Sequence, residues 1–141
     1  MSTSSRYRYI GVSSLLFLGL LAIAVFGTGP IVRGRLGDVL TVMLLFSCIK
    51  IIRPNWNALW IALGVFVCAV ILELLQLTSF HENFQHIPYV VEYLLGAHFD
   101  WHDFIAYAVG ILGILCINDL FLEADALFMA TQVTITDEHS A

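Results

Sequence analysis

Residues 57–78, NALWIALGVFVCAVILELLQLT, decide the fold. From Ala58 to Leu72 the run carries no charge, and its length matches the roughly 20 residues that an α-helix needs to cross a bilayer. Trp56 and Trp60 stand near one end, where amphipathic rings favour the membrane interface. Near the other end come Glu73 and Gln76, three positions apart and therefore on neighbouring turns of one helix face. A carboxylate inside a span is costly unless it is paired, protonated or hydrated, which makes Glu73 the first candidate functional residue. It lies only about one turn, or about 6 Å, from the end of the run, so a structural ion pair with an arginine competes with a ligand or catalytic role.

Three further apolar runs flank this one. Residues 10–27 are uncharged, follow Arg6 and Arg8 and stop at Thr28-Gly29-Pro30; beside three other spans they read as a retained signal-anchor helix. Residues 38–52 form a second span, short for a whole bilayer, with Lys50 placed to snorkel to the surface before Arg53-Pro54. Residues 104–122 form the last, opening after Trp101-His102-Asp103 and acquiring Asn118, Asp119 and Glu123 only as it finishes. The fold expected is therefore all-α, an integral membrane bundle of four transmembrane helices in one domain, residues 1–128. Residues 129–141 read as a polar cytoplasmic tail. Between spans three and four, residues 80–103 are too apolar for a free loop and too short to cross, which suggests an interfacial or re-entrant segment.

Composition agrees with these spans. Of 141 residues, 60% are hydrophobic and only 12% charged, which excludes a soluble globular domain and a disordered tail. Six basic against eleven acidic residues give a net charge of -5, leaving no basic surface for nucleic acid. Cys48, Cys68 and Cys116 lie in apolar runs without paired spacing and read as packing residues. With the N-terminus inside, Arg6, Arg8, Lys50 and Arg53 are cytoplasmic and Arg33 and Arg35 are outside. This bias places both termini in the cytoplasm.

Under that topology the polar residues of the spans gather at the outer end: Arg33, Arg35 and Asp38 before or at span two, Glu73 and Gln76 in span three, and Asp103 at span four. Asp103 precedes an apolar helix and suits a capping role. Asp103, Tyr107 and Gly110 also recur at helical spacing, so an acid, a phenol and a close-packing glycine line one face. The histidines and carboxylates of His98-Phe99-Asp100-Trp101-His102-Asp103 match no established zinc motif and read as ordinary surface groups. There is no phosphate-cradling glycine loop, no HExxH helix and no convincing serine triad. No cofactor and no metal are implied.

Taken in order, Arg33, Arg35-Leu36-Gly37-Asp38, Glu73-Leu74-Leu75-Gln76-Leu77, Tyr93-Leu94-Leu95-Gly96 and the stretch from Phe99 to Gly110 resemble an uncharacterised bacterial four-span family related to VanZ-like proteins. The resemblance implies a cell-envelope context with an accessory link to glycopeptide-antibiotic resistance, and no settled reaction. The positions that carry over are Arg33, Asp38, Glu73, Gln76, Asp103, Tyr107 and Gly110. The basic residue that often precedes the Leu-Gly segment is missing, with Glu92 nearby.

The function expected is a small protein of the bacterial inner membrane whose outer polar site binds a lipid or polyprenyl-linked head group. Arg33 or Arg35 would hold an anionic group, Glu73 and Asp103 would orient the arginines, and Gln76 and Tyr107 would contact neutral parts. The alternatives are a membrane enzyme using Glu73 or Asp103 as general base on a lipid-linked substrate, and a noncatalytic subunit bound to another membrane protein. Membrane lipids are the partners expected in the leading reading.

Overall fold

A computed structural model describes residues 3–29, 31–77 and 101–139, and the side chains within 6–29, 31–75 and 101–132. Among these residues every element is helical and no strand occurs. Helix α1 covers Thr3–Phe26, α2 Gly37–Ile52, α3 Ala58–Leu77 and α4 Trp101–His139, and a wide π-helical turn, Ile31–Leu36, leads into α2. The segment read as interfacial or re-entrant lies outside the described residues up to position 100, and residues 101–103 are already the first turn of α4.

Local chemistry sets most of these boundaries. Behind α1, Gly27 donates to the Ile23 carbonyl at 2.8 Å, and Gly29 takes a left-handed φ of 82°, a conformation that costs glycine little. Helix α2 stops at Arg53, which precedes Pro54, because the proline ring disfavours helical geometry in the residue before it. Asn57 opens α3 by accepting the Leu59 N–H on its Oδ1 at 2.8 Å. Beyond Gly113 the sequence holds neither glycine nor proline, and α4 runs unbroken through 39 residues to His139.

That last helix passes the expected end of span four at residue 122 and takes in residues expected to form a tail. At the usual rise it is about 58 Å long, against about 30 Å of bilayer hydrocarbon. It is tied down past residue 120 by α1: Arg8 donates to the Phe121 carbonyl at 2.9 Å, pairs with Asp125 at 3.0 Å and lies over the Phe121 ring. Three helical segments, Arg6–Phe26, Ala58–Leu75 and Trp101–Gln132, are long and apolar enough to cross a membrane. Helix α2, with 16 residues, is shorter, about 24 Å.

The shortest helix is the central one. It packs against α1, α3 and α4, and the core joins Tyr9 of α1, Val42 and Phe46 of α2, Ile61 and Val65 of α3, and Ile114 of α4. Leu15, Leu18, Trp60, Leu63, Leu112 and Leu120 face outward. This exterior would aggregate in water and suits hydrocarbon. Lipid removes the usual hydrophobic drive between helices, so close van der Waals fit must hold them. Gly110 supplies it, since a Cβ there would stand 2.7 Å from the Val39 carbonyl oxygen and strike the Val42 side chain.

Lys50 does not snorkel. It is 4% exposed, and its Nζ donates to the Trp56 carbonyl at 2.9 Å. The reason is spacing: positions 42, 46 and 50 recur every four residues and share the face that α2 turns into the bundle.

Candidate functional site at the ends of α2, α3 and α4

Glu73, one turn before the end of α3, is only 2% exposed. Tyr107, in the second turn of α4, donates its hydroxyl to Glu73 Oε2 at 3.2 Å. Asp38 stands in the first turn of α2 and Asp103 in the first turn of α4, close enough for their carboxyl groups to act on each other. All three carboxyls lie close enough to the Tyr107 phenol to act on it electrostatically.

Asp103 is not the residue preceding its helix, since α4 begins two residues earlier at Trp101. The N-terminal dipole of α4 favours a negative charge there. Asp38 follows closely on the π-helical turn and has helix on both sides of it.

Arg33 donates from its guanidinium to the Ala24 carbonyl at 3.0 Å, satisfying one of the last carbonyls of α1. Arg35 lines a groove of about 390 Å³ between the π-helical turn and α4, together with Val32, Val39, His102, Ile105 and Val109. One cation and one imidazole thus meet a long apolar wall. The structure brings Asp38, Glu73, Asp103 and Tyr107 together, seats Arg33 on the end of α1, and leaves the Gln76 side chain outside the described residues.

Sequence reasoning named neither His102 nor Val39 as groove residues. Their signal was available: positions 35 and 39 are one turn apart, as are 102, 105 and 109, so each set forms a stripe. It also missed Asn118, which accepts from the Tyr9 hydroxyl at 2.7 Å and donates to Asp119 at the opposite end of the bundle. His98 and Asp100 lie outside the described residues; among those described, no group of three or more His, Cys, Asp and Glu side chains is arranged to hold a metal ion.

The apolar exterior and the span-length helices define a helical protein of the membrane class. The chain belongs to the family described as "Protein of unknown function (DUF2809)", whose sequence model matches residues 28–111. That stretch contains Arg33, Asp38, Glu73, Gln76, Asp103, Tyr107 and Gly110, while α1 and the part of α4 beyond residue 111 lie outside it. No curated protein and no solved structure matches the chain.

Proposed function

We propose that this protein is a four-span component of the bacterial inner membrane that binds the anionic head group of a lipid or polyprenyl-linked molecule, with both termini in the cytoplasm. The observation that carries the reading is the groove at Arg35. Its guanidinium and the His102 ring meet the head group, and Val39, Ile105 and Val109 offer apolar surface to the chain. Helix α2 is the fourth span, its modest length accommodated by longer neighbours on three sides. The orientation rests on Arg6, Arg8, Lys50 and Arg53 at one end against Arg33 and Arg35 at the other. The resemblance to VanZ-like proteins supports a cell-envelope setting.

The carboxyl cluster favours a second reading, a membrane enzyme acting on a lipid-linked substrate. Asp38, Asp103 and Glu73 gather around the Tyr107 phenol, a set of groups able to give and accept protons at a bound head group. Native mass spectrometry of protein released from bilayers containing polyprenyl phosphate tests the first reading. Wild type and Arg33→Ala retain the lipid, while Arg35→Ala loses it; equal retention by a folded Arg35→Ala refutes the groove as its site. Incubation with envelope lipids followed by product detection tests the second, which fails if turnover is absent or survives Asp103→Asn and Glu73→Gln.

A further inference from the structure

At the opposite end of the bundle, a second cavity of about 480 Å³ opens between the α2–α3 connection and α4. Lys50, Asn55, Asn57, Asn118 and Asp119 line it beside Trp56. Lys50 is the unusual member: a lysine buried to 4% exposure whose ammonium has a neutral carbonyl as its acceptor. The described ion pair of the molecule is Arg8 with Asp125, and Lys50 takes part in none among the described residues. A buried charge is costly unless it is paired, and one carbonyl together with the C-terminal dipole of α2 falls short of a counter-ion.

The surroundings specify the missing charge. Arg6 donates to the Ile51 carbonyl at 3.0 Å, and Arg53 lies over the Trp56 ring, so the approach to the cavity is basic. The start of α3 at Asn57 and Ala58 adds backbone donors. These groups favour a phosphate. The same cavity also contains Asp119, held by Asn118 Nδ2 at 3.2 Å, which repels a purely anionic ligand and attracts an ammonium group. Apolar helix faces border the cavity, as a lipid would require.

We infer that this cavity binds the zwitterionic head group of a phosphoethanolamine-type lipid, its phosphate on Lys50 and its ammonium on Asp119. The site is separate from the Arg35 groove and stands independently of it. The cavity volume falls within the roughly 300–1,000 Å³ of small-molecule sites.

The test uses the full chain in nanodiscs of equal parts phosphatidylethanolamine, phosphatidylcholine and phosphatidylglycerol, with bound lipid read by native mass spectrometry. Wild type is expected to retain phosphatidylethanolamine over the other two. Lys50→Met loses that retention by about ten- to a hundredfold, the effect of one charge-assisted hydrogen bond, and Lys50→Arg keeps it. Asp119→Asn shifts the preference toward phosphatidylglycerol. Soluble phosphoethanolamine competes, whereas inorganic phosphate does so weakly; equal competition by phosphate would assign the site to the free anion and overturn the lipid assignment. Equal retention of all three lipids by wild type overturns the proposal without recourse to a variant, as does unchanged selectivity in Lys50→Met or Asp119→Asn.

Discussion

Replacing Gly110 by alanine probes the contact that brings α4 onto α2. The added Cβ would stand 2.7 Å from the Val39 carbonyl oxygen and 3.2 Å from Val39 Cα, with the Val42 side chain closer still. Valine 42 is able to rotate, but Val39 is met at its backbone, so relief requires the two helices to part. Ordinary contact begins at 3.4 Å, a separation of about 0.7 Å along the interface, and overpacking of this kind costs about 1–3 kcal/mol. Alanine's better helix propensity returns at most about 1 kcal/mol, which leaves a net loss of up to about 2 kcal/mol, or a factor of up to about 30 in the folded population, and about the full 1–3 kcal/mol relative to a glycine-to-alanine control that gains the same propensity. Reversible unfolding in bicelles, followed by circular dichroism, measures it. Gly64→Ala and Gly113→Ala are the controls, because a Cβ meets nothing within 4 Å at the first and only Met43 at 3.7 Å at the second; both are expected to be neutral or mildly stabilising. A Gly110→Ala protein as stable as Gly113→Ala refutes the close approach.

Tyr107→Phe removes the donor to Glu73 and should destabilise the bundle by about 0.6–1.7 kcal/mol, the range for hydrogen bonds between membrane helices; the same bicelle titration checks it. Tyr9→Phe leaves the buried Asn118 Oδ1 without its α1 donor, and a cost of about 1–3 kcal/mol is expected in that titration. Arg8→Ala removes the Asp125 pair and the bond to Phe121. The pair itself is partly exposed and contributes about 1 kcal/mol or less, so hydrogen exchange should quicken in α4 beyond residue 120 while the core around Ile114 is unchanged.

The helices with span-length runs were legible because length and apolarity alone announce a bilayer crossing. Which face of each run turns inward was not, since a helix that is apolar all round carries no amphipathic stripe to read. The central position of α2 and the burial of Lys50 follow from that gap. At the candidate site, Glu73 and Tyr107 stood out by their depth and spacing, and Asp38 and Asp103 by their position at helix starts. Arg33 was legible as a residue near the site but not as the partner of Ala24, because a carbonyl at a helix end leaves no mark in the side-chain sequence. The run of α4 past residue 122 was hidden because Asn118, Asp119 and Glu123 read as the end of the span, although the want of glycine and proline there was the better signal.

Helix α2 is enclosed by three longer helices, and a recess lies at each of its ends. The Arg35 groove borders its first turn and the Lys50 cavity its last. If both recesses take head groups as proposed, one protein of this length addresses both leaflets at once.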